Sequence, residues 1–412
     1  MIRKIKNFYH LLTAVLSVIR YGNPSRKLKV IGVTGTDGKT TTSSLLFHIL
    51  TNAGKKASMI TTVYGKVGDQ VFDTGLHVTS PPASLIQRLL KKSVQARDEY
   101  FVLEVTSHAI DQYRDWGVRY HSGVITNITH EHLDYHKTYD NYVNTKTKLL
   151  LRAKQRYVNR DDRSFKWIEP ILKKHEKKFF TYALKQNADY HMDIAKKIGR
   201  DLPTFNRYNY LAAYAVCRGL GIPEKDIFSA MKTFKNPVGR MEMVYNKEFS
   251  VIVDFAHTPN AVKEALEAVQ QMKKKGGRII HVFGSAGLRD QAKRPLMGKM
   301  SASHADIAVI TEEDYRTEDP QKIAQEIASG MKKKGYKEVR FDSQTVPVKS
   351  YMINTVRGEA VKKALSLARK DDTVILTGKG HEKSLCRGKT EYPWSDQDEV
   401  RQILQTAKNN TK

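Results

Sequence analysis

Residues 31–42 read Ile-Gly-Val-Thr-Gly-Thr-Asp-Gly-Lys-Thr-Thr-Thr, and this stretch decides the fold. An apolar run breaks into a glycine-containing turn, after which a Lys-Thr pair opens a predicted helix. Strand, turn and helix in this order are typical of a loop that binds nucleotide phosphates. Val33 stands where the general pattern Gly-x4-Gly-Lys-Thr has its first glycine, so the loop departs from that pattern.

The residue types of this loop suit phosphate binding. Gly35 and Gly38 let backbone N–H groups approach phosphate oxygens, and Lys39 supplies a positive charge. Thr40 offers a hydroxyl to Mg²⁺, and the start of the helix adds its partial positive charge. A nucleotide is therefore the first ligand to consider, the alternative being a chance glycine-rich turn after a strand.

Length and charge limit the class of protein. A chain of 412 residues has room for two or three domains. Its net charge of +27 fits nucleic acid, an anionic membrane or polyanionic substrates as partners. The lysines are spread along the chain without a nucleic-acid motif, so we interpret most of them as solvated surface and expect no nucleic-acid partner. Cys217 and Cys386 form no CxxC pair, which indicates a reducing cytoplasm and neither disulfides nor structural zinc.

The first 28 residues form a segment of their own. A basic start, residues 1–6, precedes a largely apolar run at residues 8–19 that is too short to span a bilayer and has no cleavage site after it. We predict a basic amphipathic helix. It either packs on the body of the protein or contacts a membrane face or a partner protein.

Strand-like runs alternate with helical patterns from residue 29 onward, which predicts α/β architecture with mostly parallel sheet. We expect a P-loop-type central domain at residues 29–236. The Asn236-Pro-Val-Gly turn then marks a boundary, and a second series of strands and helices predicts a Rossmann-like domain at residues 237–412.

Carboxylates and imidazoles follow two predicted strands. Glu104 ends one strand, and His130, His132 and His136 come after the next. Because parallel strands end at one edge of a sheet, these residues are expected near the phosphate loop. Glu104 and His132 are candidate ligands for Mg²⁺, although hydrogen-bonded structural histidines or a zinc site are the alternatives.

The order of several motifs resembles the Mur ligase family, and within it the UDP-N-acetylmuramoyl-tripeptide synthetase (MurE-type) branch. The supporting segments are Gly35-Thr-Asp-Gly-Lys-Thr-Thr, Glu104-Val-Thr-Ser-His-Ala-Ile-Asp-Gln, Thr126-Asn-Ile-Thr-His-Glu-His-Leu-Asp-Tyr-His, Phe205-Asn-Arg-Tyr-Asn-Tyr-Leu-Ala-Ala, Gly239-Arg-Met-Glu, Val253-Asp-Phe-Ala-His-Thr-Pro, Lys293-Arg-Pro-Leu-Met and Gly378-Lys-Gly-His-Glu. The resemblance covers roughly residues 29–400 and rests on the ordered set rather than on one motif.

The resemblance implies ADP-forming amide synthesis in peptidoglycan precursor assembly. A substrate carboxylate attacks the γ-phosphate of ATP, an acyl phosphate forms, and an amine displaces phosphate. The catalytic residues that it implies are Lys39, Glu104, His132 and Lys146. The ATP-binding residues that it implies are Gly35, Thr36, Asp37, Gly38, Lys39, Thr40, Thr41, Asn206, Asn209, Arg240 and Asp254, which would place ATP between the two domains.

The implied metal ligands are Thr40, Glu104, His132 and Lys146. Lys146, in Tyr142-Val-Asn-Thr-Lys, matches the lysine that this family carbamylates. A carbamate beside Mg²⁺ gives an anionic ligand where a lysine cation would be repelled. An ordinary surface lysine on the predicted Asp140–Leu151 helix is the alternative.

The resemblance also implies contacts to the acceptor peptide and the added amino acid. The candidate substrate residues are Thr79, Ser80, Ser107, Arg114, Arg289, Asp314, Arg316, Gly378 and Glu382. The family's Asp-Asn-Pro-Arg signature reads Glu313-Asp-Tyr-Arg here, so an anion replaces an amide and could either repel a substrate carboxylate or favour another cationic group. Diaminopimelate, lysine, ornithine or another diamino acid remains open.

A second departure concerns the acceptor. Only about 28 residues precede the first predicted strand, so we expect that the family's N-terminal UDP-binding domain is absent. The leading hypothesis is a ligase that adds a diamino acid to a muramoyl-peptide-like acceptor. A lipid-linked, folate-like or polyamide acceptor, or a non-catalytic binding subunit, is the alternative, and oligomeric state stays undecided.

Overall fold

The computed structural model describes residues 2–68, 70–73, 80–129 and 131–409. The chain divides into two compact units, Met1–Lys235 and Asn236–Lys412. The domains predicted from the sequence are residues 1–28, 29–236 and 237–412. That each of them is a separate domain stays a prediction.

The described elements alternate between strands and helices along most of the chain. The helices are α1 Ile2–Tyr21, α2 Lys39–Asn52, α3 Ala83–Gln95, α4 Ser107–Asp111, α5 Leu133–His136, α6 Tyr139–Arg152, α7 Phe165–Lys174, α8 Ile194–Ile198, α9 Thr204–Gly219, α10 Glu224–Thr233, α11 Pro259–Met272, α12 Lys293–His304, α13 Pro320–Lys332, α14 Arg357–Leu367 and α15 Asp396–Asn409. The strands are β1 Lys29–Thr34, β2 Ala57–Ile60, β3 Tyr64–Val67, β4 Gln70–Asp73, β5 Tyr100–Glu104, β6 Tyr120–Ile125, β7 Gln155–Asn159, β8 Phe180–Ala183, β9 Tyr190–His191, β10 Glu242–Asn246, β11 Ser250–Val253, β12 Ile279–Phe283, β13 Ile307–Ile310, β14 Lys337–Glu338, β15 Ser350–Ile353, β16 Thr373–Leu376, β17 Ser384–Arg387 and β18 Thr390–Pro393.

The first unit is built on a nine-stranded sheet in the order β4-β3-β2-β5-β1-β6-β7-β8-β9. The seven strands β2, β5, β1, β6, β7, β8 and β9 pair in parallel in that spatial order, whereas β3 and β4 add an antiparallel edge next to β2. Strand β1 therefore lies inside the sheet, between β5 and β6. This position brings the loop after β1 to the same edge as the ends of β5 and β6.

Helices cover both faces of this sheet, as an alternating βα sequence requires. In β1, Ile31 and Val33 face one apolar core and Val30 faces the other, and all three are fully buried. Each such side chain stabilises the fold by about 1.5–3 kcal/mol through burial. The phosphate loop is thus attached to one of the most deeply packed strands of the unit.

The second unit contains a seven-stranded sheet in the order β10-β11-β16-β12-β13-β15-β14. All its pairs are parallel except β10 with β11 at one edge. Alternate residues of β11 again face opposite cores, Ile252 on one side and Val251 and Val253 on the other. A separate antiparallel hairpin, β17–β18, follows the last parallel strand.

The predicted α/β architecture with mostly parallel sheets is confirmed by both units. The sequence missed the β3–β4 and β17–β18 hairpins, because their short strands lack a long apolar run. The prediction that the Lys-Thr pair opens a helix is confirmed, since α2 begins at Lys39 within the loop motif itself.

Helix α1 belongs to the first unit, where it packs against α3. Ala14 and Ser17 lie on its buried side, and the Asn7 side chain donates to the Asp111 carbonyl at 3.0 Å. Among residues 2–68, 70–73, 80–129 and 131–409, no helix is both long and apolar enough to cross a membrane.

Candidate active site

The loop after β1 makes a sharp turn and leads into α2. Gly38 is the residue before the helix and has a left-handed backbone with φ 78°. The amides of the first helical turn have no partner within a helix, so they point outward from its start. The loop thus presents N–H groups and the positive end of a helix dipole, which suits a phosphate.

Space as well as conformation requires glycine at position 38. A Cβ atom there would lie 2.1 Å from Oδ1 of Asn209 on α9. Asn209 in turn donates to Oδ1 of Asn206 at 3.2 Å, and both asparagines are buried. The loop and the start of α9 are therefore fitted directly against each other, so the two predicted nucleotide-binding segments are neighbours.

A buried carboxylate stands beside the loop. Oε2 of Glu104, at the end of β5, accepts hydrogen bonds from the Thr40 hydroxyl at 2.9 Å and from the Thr62 amide at 3.1 Å. The hydroxyls of Thr40 and Thr62 are 2.9 Å apart. Hydroxyl and carboxylate oxygens are the hard ligands that Mg²⁺ prefers, so this pair fits the ion chemically.

Two lysines hold consecutive carbonyls of the loop. Nζ of Lys146, on α6, donates to the Gly35 carbonyl, and Nζ of Lys39 donates to the Thr36 carbonyl, each at 2.6 Å. Lys146 is buried, at 2% exposure. Burial lowers the pKa of Lys146 well below the usual lysine value, and the charge of Lys39 lowers it further.

The rest of the loop is fixed by the segment after β6. The Thr126 hydroxyl and the Asn127 amide group both donate to the Asp37 carbonyl, at 2.6 and 3.1 Å. The Thr129 amide donates to the Thr36 hydroxyl at 3.0 Å. These bonds hold the loop in one conformation before any ligand binds, and Thr41 is buried next to it at the start of α2.

His132 lies at the rim of this site. Its ring is 35% exposed, makes an edge contact with the His108 ring at 4.8 Å and pairs with Glu131 at 3.6 Å. His136 is a buried structural residue whose Nε2 is 3.0 Å from the Ser107 hydroxyl. Burial, assisted by His108, lowers the pKa of His136 to about 3. The alternative of hydrogen-bonded structural histidines therefore describes His136.

His130 lies outside the described residues. Within the described ranges, no group of three or more histidine, cysteine, aspartate or glutamate side chains is placed to hold a metal ion.

Predicted acceptor residues form a second small cluster in the same unit. Nη1 of Arg114 donates to the Ser80 carbonyl at 2.8 Å, and the Thr106 amide donates to the Ser80 hydroxyl at 3.2 Å. Burial lowers the pKa of Arg114. Ser107 follows Thr106 as the first residue of α4, whereas Thr79 lies outside the described residues.

Arg240 and Asp254 lie in the second unit. The guanidinium of Arg240 stacks over the Phe255 ring at 4.5 Å. Asp254 accepts hydrogen bonds from the Met241 and Ala256 amides at 2.7 and 2.8 Å. Asp254 therefore supports the local backbone, and its contact with ATP stays a prediction.

The altered signature contains a buried ion-pair network. Oδ1 of Asp314 accepts from Nζ of Lys379 at 2.7 Å and from the Cys386 amide at 3.0 Å. Lys379 also pairs with Glu382 at 2.5 Å and is fully buried. Burial opposes its charge, but the carboxylates of Glu382 and Asp314 raise the pKa of Lys379. The anion at position 314 is thus neutralised within the protein.

Other predicted amino-acid contacts surround this network. Arg316 has a left-handed backbone and donates to the Gly287 carbonyl at 2.9 Å. Gly378 lies beside Glu313, whose buried Oε2 has no hydrogen-bond partner among the described residues. Arg289 is exposed. The structure therefore brings Asp314 and Glu382 together through Lys379. Lys379 was not among the predicted site residues, although it lies in the Gly378-Lys-Gly-His-Glu motif.

Thr62 was also missed. It lies two residues after the end of β2, so the rule that polar residues at strand ends form sites would have found it. Tyr142 was missed too, although its hydroxyl is 3.2 Å from the Thr36 hydroxyl. Tyr142 lies in the first turn of α6, and its place in the sequence gave no sign of this polar contact.

The fold and the loop define a class of protein. A glycine-turned loop opens a helix beside a buried threonine–glutamate pair, at the edge where parallel strands end. This arrangement defines an α/β enzyme that binds nucleotide phosphates.

Comparison with known proteins identifies the family. Residues 33–217 match the Mur ligase middle domain, and residues 239–380 match the Mur ligase, glutamate ligase domain. The chain belongs to the Mur ligase family and is an ATP-dependent ligase, as the sequence resemblance predicted.

Two similar proteins are named UDP-N-acetylmuramoyl-L-alanyl-D-glutamate–2,6-diaminopimelate ligase. That of Clostridium botulinum is 35% identical over 90% of this chain and 76% of its own length. That of Aquifex aeolicus is 36% identical over 93% of this chain and 79% of its own. A solved structure with this name is 26% identical, covers 92% of this chain and 79% of its own, and has a TM-score of 0.61.

Gly38→Ala should weaken ATP binding at least about tenfold and destabilise the fold by more than the roughly 1 kcal/mol of a left-handed alanine, because the new methyl meets Asn209. Calorimetric titration with ATP and denaturant unfolding measure the two effects. The matched control is Gly54→Ala, which has φ +73° in open space just after the same helix. Equal effects of the two substitutions would contradict the close fit at position 38.

Proposed function

We propose that this ligase adds a diamino acid to the carboxylate of a muramoyl-peptide acceptor in peptidoglycan precursor synthesis. UDP-N-acetylmuramoyl-L-alanyl-D-glutamate is the first acceptor to consider, and 2,6-diaminopimelate is the first amino acid. Both appear in the names of relatives that align with most of this chain. Lysine and ornithine are the comparison substrates.

One observation carries the proposal. The Thr40 hydroxyl and the Glu104 carboxylate are 2.9 Å apart, buried, and adjacent to the phosphate loop. We propose that they hold Mg²⁺, which when bound would neutralise charge on the phosphates of ATP. The Thr62 amide would orient the Glu104 carboxylate toward this ion. His132, at the rim, would help to bind a second Mg²⁺.

The loop would hold the nucleotide through its backbone. The residues that we assign to ATP in the first unit are Gly35, Thr36, Asp37, Gly38, Lys39, Thr40, Thr41, Asn206 and Asn209. Lys39 is poised to exchange the Thr36 carbonyl for a phosphate oxygen, since a charged acceptor gives the stronger hydrogen bond. Arg240 and Asp254 are proposed nucleotide contacts from the second unit.

The proposed reaction has two steps, and in each the protein positions the reacting groups. The acceptor carboxylate attacks the γ-phosphorus, its new P–O bond replaces the bond to ADP, and an acyl phosphate results. The neutral amine of the amino acid next attacks the acyl carbon, and phosphate leaves as the C–N bond forms. Arg114, held against Ser80, offers a cation for the anionic acceptor, and Ser107 offers a nearby hydroxyl.

We propose that Lys146 is carbamylated. Its amine is buried beside the loop, and burial together with Lys39 favours the neutral form. A neutral amine adds to CO₂, forming an N–C bond and releasing one proton. The resulting carbamate is an anion, so it would relieve the repulsion between Lys146 and Lys39 and supply an oxygen ligand to Mg²⁺.

The second unit supplies the proposed site for the amino acid. Glu313, whose Oε2 has no partner among the described residues, would offer a carboxylate to its ammonium groups, and Glu382 would contact them from its pair with Lys379. Arg289 and Arg316 would offer guanidinium groups to its carboxylates. Asp314 is already bound by Lys379 and the Cys386 amide. We therefore assign Asp314 a positioning role, in which it holds Lys379 and the β17–β18 hairpin in place beside Gly378.

ADP release should require the acceptor and the amino acid together, because the acyl phosphate turns over only when an amine takes the acyl group. A coupled assay with UDP-N-acetylmuramoyl-L-alanyl-D-glutamate and diaminopimelate, lysine or ornithine measures this. We expect near-background rates with either substrate alone and at least about a hundredfold loss in Lys39→Ala. Turnover with a folate-type carboxylate instead, or ATP binding without turnover on any pair, would overturn the proposed acceptor.

Carbamylation predicts a carbon-13 NMR signal on the protein after incubation with labelled bicarbonate. The signal should vanish in Lys146→Met and persist in Lys148→Met, which removes an exposed lysine from the same helix. Ligase activity should fall when CO₂ is stripped and return with bicarbonate. A spectrum that Lys146→Met leaves unchanged would refute the carbamate.

Asp314→Asn should raise KM for the amino acid at least about fivefold while KM for ATP stays within about twofold, because Lys379 loses one of its two partners. The free energy of unfolding should fall by about 1–3 kcal/mol, less than for a fully unpaired buried charge. The control Asp398→Asn breaks an exposed pair with Arg401 and should cost under about 0.5 kcal/mol. Equal rises in both KM values would exclude a selective positioning role.

A further inference from the structure

Helix α1 exposes an apolar stripe that the ligase reaction does not use. The stripe consists of Phe8, Tyr9, Leu12, Leu16 and Ile19, which are 61%, 64%, 47%, 65% and 72% exposed. At 100° per residue these five positions fall within about 100° of the helix circumference. The opposite side of the helix is the one that packs, so the stripe is a continuous surface on an anchored helix.

The anchoring of α1 is specific. Asn7 donates to both the carbonyl and the carboxylate of Asp111, at 3.0 and 3.1 Å. A Cβ atom on Gly117 would lie 2.4 Å from the Val18 side chain, so the two segments are in close contact. The stripe is therefore held in a fixed orientation by the first unit and is not the packing face of a loose segment.

Two aromatic residues are exposed in the segment that packs against the helix. Tyr113 and Trp116 are 40% and 37% exposed, in the turn that leads to Gly117. Aromatic rings with a polar edge are enriched where proteins meet the interface of a membrane. The stripe itself combines aliphatic residues with two aromatic residues, Phe8 and Tyr9, at its start.

The charge on the described part of α1 and on the segment that follows it has one sign. Lys6 and Arg20 flank the stripe on the helix, and Arg26 and Lys27 follow it, all four exposed. The chain contains no acidic residue before Asp37. Nearby, Arg88 on α3 and Arg119 before β6 are exposed as well. An apolar stripe with basic flanks is complementary to a surface of anionic lipids.

We propose that the α1 stripe docks the enzyme on an anionic membrane surface, with the helix lying in the plane of the headgroups. The apolar side chains enter the boundary of the acyl region while Lys6, Arg20, Arg26 and Lys27 contact lipid phosphates. A second copy of the chain is a poorer occupant, because pairing two stripes would bring these cations together with no acidic residue on either helix to offset them.

Co-sedimentation of the full chain with vesicles tests the proposal. The probes are vesicles of phosphatidylcholine mixed with phosphatidylglycerol, and of phosphatidylcholine alone. We expect binding to the anionic vesicles at least about tenfold tighter than to the neutral ones, weakening as salt screens the charges. Leu12→Ser/Leu16→Ser/Ile19→Ser should lower that affinity at least about tenfold. All three side chains are exposed, so the variant should unfold at the same denaturant concentration as the parent.

Two matched controls distinguish binding through the stripe from binding through exposed apolar or charged residues elsewhere on the protein. Met272→Ser/Val348→Ser/Val356→Ser removes three exposed apolar residues elsewhere and should bind like the parent. The variant Lys6→Gln/Arg20→Gln/Arg26→Gln/Lys27→Gln should lose the preference for anionic vesicles. The control Lys333→Gln/Lys334→Gln/Lys337→Gln/Lys370→Gln, which removes four exposed lysines elsewhere, should keep most of that preference.

Three results would overturn the proposal. They are no binding to anionic vesicles, binding that the stripe variant leaves unchanged, and an equal loss in the two four-residue charge variants. Sedimentation velocity adds a fourth, since dimers that disappear in the stripe variant would make α1 an interface between copies. None of these measurements depends on ligase activity, so they stand apart from the proposed substrates.

Discussion

The buried carboxylate of Glu104 is the interaction on which the first unit's site depends. It joins β5, the start of α2 through Thr40, and the end of β2 through Thr62. A buried carboxylate is tolerated only when hydrogen bonds or charges compensate its lost hydration. Three structural elements must therefore converge at one point, and this convergence sets the position of the phosphate loop relative to the sheet.

Sequence reasoning found those features whose chemistry is local. The loop at residues 35–40 could be predicted because strand, turn and helix follow one another directly. Glu104 could be placed near it because it ends a strand of the same parallel sheet. The resemblance to Mur ligases, carried by ordered motifs, then gave the family correctly.

The parts that were missed depend on contacts between distant segments. Thr62 reaches Glu104 across 42 residues, and Lys379 reaches Asp314 across 65. No periodicity or spacing encodes such a pair, because it exists only after the sheet has formed. The expectation that Asp314 would repel a carboxylate considered the residue alone, whereas its charge is balanced by Lys379. Short hairpins such as β17–β18 were not predicted for a related reason, since strand pairing rather than an apolar pattern defines them.

The two units hold their buried lysines in different electrostatic surroundings. In the first, Lys146 and Lys39 donate to adjacent carbonyls of one loop, and burial together with the charge of Lys39 lowers the pKa of Lys146. In the second, Asp314 and Glu382 pair with the buried Lys379, and Glu313, which lies beside Gly378, has an Oε2 without a hydrogen-bond partner among the described residues. Under the proposed function, the lysines of the first unit would meet phosphate and the carboxylates of the second would meet ammonium groups. Because these side chains are fixed by hydrogen bonds within packed elements, their charges would need little rearrangement when the substrates bind, which is the form of electrostatic stabilisation that lowers the barrier to amide synthesis.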